Sequence, residues 1–159
     1  MTNVEEFLKS NQIEYILHKH PPVYTCEEAK KHCKDIPGLA CKNLLIKDKQ
    51  NEQHFLVTLP ADKRFDFKKF SEIVGIKKST LANNEALKEK IGLEAGAISP
   101  FGLLNDQRQE IKFYLDKKVY NATIVSFHPN VNTASLELSK DAFRKFLKTI
   151  KHKVNIVDL

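Results

Sequence analysis

Apolar residues recur along this chain with two alternating periods, and the switches between them mark its elements. Val4, Phe7 and Leu8 share one face of a short helical repeat, and Asn3 with Glu6 three residues on can cap its start. The run IEYILH alternates instead, with Ile13, Tyr15 and Leu17 on one side, and predicts a strand. HPPVY ends it, because two prolines cannot sit inside a ladder. Thr25 and Glu28 repeat the capping pattern and predict a helix from Cys26 to Cys33, and Asp35-Ile36-Pro37-Gly38 predicts a turn. CKNLLIKD and QHFLVTLP predict a hairpin joined by the polar KDKQNEQ. Asp66 can cap FKKFSEIVG, where Phe67, Phe70, Ile73 and Val74 form the stripe and Gly75 the stop. STLAN reads as a short strand, NEALKEKIG as a short helix ending at Gly92, and LEAGAISPFGLLND as an apolar loop. IKFYLD, ATIVSFH and TASLELS predict further strands. Ser139 or Asp141 starts a last helix with Phe143, Phe146, Leu147 and Ile150 as its stripe, and VNIVD adds an edge strand.

This order interleaves hairpins and meanders with short helices. It predicts a mixed, α+β-like α/β fold, with a mixed or mostly antiparallel sheet and helices packed on it, not a doubly wound parallel sheet. No repeat and no linker interrupts residues 1–159, so a single domain is expected.

Charge narrows the picture. The chain carries a formal net charge of +6, which favours a polyanionic partner. The lysines are spread out, in pairs such as Lys30-Lys31 and Lys77-Lys78 and in the Lys145 to Lys153 stretch, so most belong to solvated helix faces. The start MTNVEEFLKS is acidic and amphipathic, unlike an export signal, and no apolar run approaches spanning length; a cytoplasmic protein is expected. Cys26, Cys33 and Cys41 lack the spacing of a zinc or redox motif. His18, His20 and His32 lie near them, but Cys26 and Cys33 flank Ala29 as the stripe of a short helix, which reads as buried reduced thiols rather than a metal site.

Four segments break local rules, and such breaks mark candidate sites. The first is HPPVYT, His20 to Thr25. The second opens CKNLLI, where alternation places Lys42 on the side of Leu44 and Ile46. Its ammonium either holds a phosphate or carbonyl oxygen, or snorkels to water. Asn43 either contacts a ligand or satisfies a loop backbone. The third is Gly96-Ala97-Ile98-Ser99-Pro100, either a backbone cradle or an ordinary turn. The fourth is FHPNVNT, which puts His128 and two asparagines where a hairpin needs only a bend; His128 is a base, a ligand donor or a structural histidine. No nucleophile-elbow triad and no H-E-x-x-H are present, so catalysis here would rest on positioning, backbone donors and the substrate's own groups.

Taken in order, HPPVYTCEEA, KNLLIKDK with HFLVTLP, IGLEAGAISPFGLLND and FHPNVNTASLELS resemble the free-standing aminoacyl-tRNA editing domains of the YbaK/ProX type, most of all the ProX branch that deacylates alanyl-tRNA(Pro). The resemblance covers nearly the whole chain. It implies a mixed, largely antiparallel sheet curled towards a barrel and surrounded by helices. It also implies a trans-editing ester hydrolase, because an apolar synthetic site separates near-sized side chains poorly and a second, smaller sieve must remove the error.

Site roles follow from the same resemblance. Lys42 would hold the terminal adenosine's phosphate or the ester end, with Asn43 beside it as a polar contact. Gly96, Ala97, Ile98, Ser99 and Pro100 would pack on the aminoacyl ester and offer backbone contacts. His128 would contact the aminoacyl group or terminal ribose, with Asn132 nearby, and Val23 and Tyr24 would rim the pocket. A hydroxyl of the terminal ribose would assist the attacking water. The expected partner is the tRNA(Pro) acceptor stem carrying alanine, with prolyl-tRNA synthetase or an elongation factor as the candidates to deliver it; neither a cofactor, a metal, DNA nor a membrane is expected. The rival readings are a deacylase of another mischarged tRNA such as cysteinyl-tRNA(Pro), and a non-catalytic tRNA- or synthetase-binding module.

Overall fold

The computed structural model describes residues 3–159, with the side chain of Cys26 and residues 1–2 outside the description. Its elements in order are α1 (Val4–Ser10), β1 (Ile16–Lys19), α2 (Cys26–His32), β2 (Cys41–Asp48), β3 (His54–Pro60), α3 (Phe67–Val74), β4 (Ser79–Leu81) and α4 (Asn84–Ile91). A 3-10 helix (Pro100–Asn105), β5 (Ile111–Asp116), α5 (Lys117–Tyr120), β6 (Ile124–Phe127), β7 (Ala134–Ser139), α6 (Lys140–Thr149) and β8 (Val154–Val157) follow.

The helices start where short polar side chains can satisfy orphan N–H groups. Asn3 accepts from the Glu6 N–H, Thr25 from Glu28, Asp66 from Lys69 and Asn83 from Ala86. Ser139, not Asp141, caps α6 by accepting from the Ala142 N–H. Gly75 (φ 75°) and Gly92 (φ 66°) end α3 and α4 in the left-handed conformation that glycine adopts without steric cost.

The strands form two sheets. One has the order β1-β7-β6 and is antiparallel throughout. The other has the order β4-β2-β3-β5-β8; β2 is antiparallel to β3 and β4, while β5 runs parallel to both β3 and β8. The sheet is mixed, as expected, and the curl towards a barrel takes the form of two sheets that do not close. They meet at a parallel bridge between Leu39 and Val125. Gly38 permits that approach: its φ is +111°, and a Cβ there would lie 2.8 Å from Ile124.

The β2–β3 hairpin separates two apolar clusters. Leu45, Leu56, Phe113, Phe127, Leu136, Phe143 and Phe146 belong to the larger, between the sheets and α6. Ile46, Phe55, Val57, Leu59 and Phe70 belong to the smaller, under α3. Phe101 joins the 3-10 helix to the larger cluster, edge-on to Phe127 at 6.2 Å and to Phe146 at 5.0 Å between centroids.

Four sequence expectations shift. The first strand begins at Ile16 rather than Ile13, because Ile13 is buried and the Tyr15 hydroxyl donates to Glu5 at 2.8 Å, which folds this segment back on α1. α2 stops at His32, and Cys33 is its half-buried C-cap rather than part of a buried stripe. The loop after Leu93 contains the 3-10 helix, nucleated by Ser99 and Pro100. The single turn of α5 was not expected; Asp116 starts it by accepting from the Lys118 N–H.

Candidate active site

Three of the four rule-breaking segments converge. β1 pairs with β7 in register from Ile16↔Glu137 to Lys19↔Ala134, and the chain beyond β1 stays tied to the β6–β7 bend. The His20 N–H donates to Thr133 O at 3.0 Å and the Val23 N–H to Asn132 O at 3.2 Å. The Asn132 side-chain amide donates back to Val23 O at 3.1 Å. The loop carrying Gly96 crosses the same segment: Gly96 has φ +89°, and a Cβ on it would sit 3.0 Å from Val23 O. Gly96 is thus needed for a close approach of the protein's own backbone.

Around this junction the loop residues are buried. Val23 and Ala97 are buried, Ile98 packs on the larger cluster, and Ser99 is fully buried with its hydroxyl accepting the Phe101 N–H at 3.1 Å. Pro100 opens the 3-10 helix. Tyr24 is 66% exposed.

Beneath α2 lies a cavity of about 450 Å³. Its walls are small, with Ala29, Gly38, Ala40 and Ala61, and its polar groups are Cys33, Ser126, His128 and Ser135. Lys30 of α2 and Lys34 just beyond it reach the cavity, and Cys41 forms the β2 wall. The Cys41 thiol is pushed up to about 12, by burial first and by nearby Asp116 second. Burial also raises Cys33, against a hydrogen bond with Ser135. Both thiols stay protonated at neutral pH, so neither serves as a thiolate nucleophile.

His128 is different. Its Nδ1 lies 2.9 Å from Ala134 O. A carbonyl only accepts, so Nδ1 carries the proton and Nε2 the lone pair. Burial holds the imidazole below its usual 6.5, the hydrogen bond to Ala134 opposes this, and nearby His20 adds to the lowering. The ring is neutral at pH 7, and its Nε2 has no protein partner among the described residues.

Of the four segments only Cys41 and His128 line this cavity; Val23, Tyr24, Lys42, Asn43, Gly96 to Pro100 and Asn132 do not. Lys42 follows the wall residue Cys41, but alternation turns its side chain towards the face of Leu44 and Ile46, opposite Leu59 of β3. It is half-buried, and its ammonium makes no hydrogen bond or ion pair among the described residues. The Asn43 carbonyl accepts from the buried Thr58 hydroxyl at 2.6 Å, which leaves its amide N–H groups free of protein acceptors.

The sequence assigns no site role to Ser135, reads Gly38 only as part of a turn, and offers Cys33 and His20 only for a metal site that it disfavours, His20 also falling in the first segment. Ser135 occupies a polar place of an alternating strand and looks solvent-facing, yet it is 5% exposed, enclosed by His20, His128 and Cys33. The signal for His20 was its position directly before two prolines, where the strand must end.

The cavity combines small side chains, hydroxyls, a neutral imidazole with an open nitrogen and protonated thiols, an arrangement that can hold a small group and hydrogen-bond a water. The class is that of editing hydrolases. Residues 20–146 match the aminoacyl-tRNA editing domain, and the chain belongs to that family. As a member it is an aminoacyl-tRNA deacylase, since editing of this kind is ester hydrolysis.

Among its relatives is the prolyl-tRNA editing protein ProX of Acetoanaerobium sticklandii, 34% identical over 93% of this chain and 90% of the relative. Prolyl-tRNA synthetase associated domain-containing protein 1 of Danio rerio is 30% identical over 94% of this chain and 82% of the relative. In fold, the chain is similar to a crystallised hypothetical protein (TM-score 0.77, 23% identity, 98% of this chain and 99% of the other). It is also similar to a candidate trans-editing enzyme for prolyl tRNA synthetase (TM-score 0.73, 18% identity, 99% and 95%). At these identities the solved structures speak for the fold alone. No helix among the described residues is long and apolar enough to cross a membrane.

Proposed function

We propose that the protein hydrolyses alanine from mischarged alanyl-tRNA(Pro), acting in trans on errors of prolyl-tRNA synthetase. The observation that carries this reading is the small-walled cavity around neutral His128. The cavity has room for an amino acid as small as alanine, and a prolyl-tRNA editing protein among the relatives favours a mischarged tRNA(Pro) as the substrate class. Apolar sieves separate near-sized side chains by roughly 1–3 kcal/mol per methylene, so exclusion by size suits a second site better than a first.

In this reading His128 Nε2 accepts a hydrogen bond from the attacking water or from the α-amino group, and a hydroxyl of the terminal ribose assists the water. Water adds to the ester carbonyl, the bond to the ribose oxygen breaks, that oxygen takes the proton, and alanine leaves as the free amino acid. Lys42 holds a phosphate of the terminal nucleotide outside the cavity, a task that fits an ammonium with no protein partner beside the Cys41 wall. Asn43 offers its free amide N–H to the same end of the substrate. Gly96 to Pro100, outside the cavity lining, would meet the substrate beyond it, with Val23 and Asn132 bracing that loop and exposed Tyr24 beside it. Lys30 and Lys34 face the acceptor stem, and salt weakens that contact. Such an enzyme works beside translation in the cytoplasm.

The test is loss of the aminoacyl ester from alanyl-, prolyl- and cysteinyl-tRNA(Pro), with Lys42→Ala alongside. Selective loss of alanine, weakened in the variant, is the expected result. Selective loss of cysteine transfers the specificity to that amino acid. Binding of all three without turnover makes the chain a tRNA-binding module.

A further inference from the structure

His128 does not stand alone. Ser135 Oγ lies 3.4 Å from His128 Nδ1 and 2.9 Å from His20 Nε2, and His20 Nδ1 lies 2.8 Å from Pro21 O. The two rings are 5.6 Å apart between centroids. Proton positions follow from the carbonyls at either end. Pro21 O can only accept, so His20 Nδ1 carries a proton and, in the neutral ring, Nε2 accepts from the Ser135 hydroxyl. With its hydrogen committed to His20, Ser135 Oγ turns its lone pairs towards the His128 Nδ1–H and the Cys33 thiol. If the His128 proton moved to Nε2, the bare Nδ1 would face two acceptors, Ala134 O and Ser135 Oγ.

We propose that Ser135 and His20 are positioning residues that reinforce the tautomer the Ala134 carbonyl sets on His128, with its lone pair on Nε2. The proposal rests on the deacylase reading for its consequence, and on the hydrogen-bond chain for its geometry. It also separates Ser135 from a nucleophile. A serine beside a histidine resembles an activated pair, but this hydroxyl donates once and accepts twice, which engages every hydrogen-bonding position of the oxygen. The titratable groups around His128 are His20 from the segment after β1, Cys33, Lys30 and Lys34 from the α2 region, and Cys41 from β2. The chain works only while His20 is neutral, since a protonated His20 Nε2 turns from acceptor to donor and releases the Ser135 hydrogen.

The experiment uses the full-length protein and two readouts. Imidazole ¹⁵N NMR reports the tautomer of His128 directly, and steady-state hydrolysis of alanyl-tRNA(Pro) across the histidine titration range reports its use. In the wild type, His128 is expected as the Nδ1–H tautomer. Ser135→Ala and His20→Phe leave the Ala134 carbonyl in place, so they are expected to raise the minor Nε2–H fraction of His128 above that of the wild type and to lower kcat about 10- to 100-fold with KM little changed, the usual cost of removing an orienting partner. Ser135→Thr, which keeps the hydroxyl, is expected to restore both. A wild-type His128 protonated on Nε2 overturns the proposal, as do tautomer and rate unchanged in a folded Ser135→Ala or His20→Phe protein, or an alanyl ester trapped on Ser135. If the wild type hydrolyses no aminoacyl-tRNA, the deacylase reading fails separately, and the NMR result still decides the chain.

Discussion

The β2–β3 and β6–β7 hairpins are both antiparallel and in register, but their bends use polar groups differently. In the β2–β3 loop the Asp48 carboxylate accepts from the Gln50 N–H at 2.9 Å and from the Asn51 amide at 3.2 Å, and the Gln53 amide donates to Glu110 O at 2.8 Å. These groups close on their own loop and on the neighbouring strand. Every residue of β3 is buried, and the hairpin divides the two apolar clusters. In the β6–β7 bend, His128 keeps one nitrogen open, and buried Asn130, at φ 63°, has a side-chain oxygen with no partner. The first bend stabilises a scaffold. The first hairpin also has one buried open group, His54 Nε2, but its loop closes on itself; the second leaves open groups in the bend itself, at a cost in stability that suits a ligand-binding segment.

That contrast can be broken from either side. His128→Ala should lower hydrolysis on the order of 10²–10⁴-fold, the usual range for a group that handles a proton, while chemical denaturation records a loss of only about 1 kcal/mol. Phe55→Ala, in the scaffold hairpin, should do the reverse. Denaturation should show a loss of about 3–5 kcal/mol, with hydrolysis per folded molecule unchanged. Equal effects of the two variants on rate would erase the distinction between the hairpins.

The next effect is pH. The His128 value is lowered below 6.5 by burial, so activity should persist through the normal histidine range and then fall about tenfold per pH unit below the folded-state value. Stability follows the same sign. Between the folded-state value and 6.5 the unfolded chain binds a proton that the folded chain does not, so this contribution is present above 6.5 and lost as pH falls through the folded value. His54, also lowered by burial, adds in the same direction. Rate and denaturation profiles measured across that window test both statements. The smallest effect belongs to Asp48→Ala, about 1 kcal/mol of stability with hydrolysis intact, since it removes hydrogen bonds that close a loop remote from the cavity.

Legibility followed the range of the interactions involved. N-caps at Asn3, Thr25 and Asp66 were readable because a side chain serves a backbone N–H three residues away. The β2–β3 hairpin was readable because both strands alternate. The start of β1 was not, since the Tyr15 to Glu5 hydrogen bond that holds its approach to α1 spans ten residues. In the site, the β6–β7 bend stood out because His128 and its asparagines are poor choices for a plain turn. Ser135 did not, because only the tertiary approach of His20 and Cys33 makes a polar strand position an interior one. Lys42 was noticed for a good reason, an ammonium on an apolar face, but pattern could not tell that the cavity lies across the strand from it.

The Leu39–Val125 bridge has a mechanical consequence. One side of the cavity, Cys41 and Ala61, belongs to the five-stranded sheet region, and the other, Ser126 and Ser135, to the three-stranded sheet. The pocket is therefore a gap between two plates held together near Gly38, and its width is set by how stiffly the plates are clamped. A vice of this kind chooses by compliance as well as by shape. Its tolerance for a larger guest depends on the aromatic packing of Phe101, Phe127 and Phe146 behind the plates, residues that need never touch what is admitted.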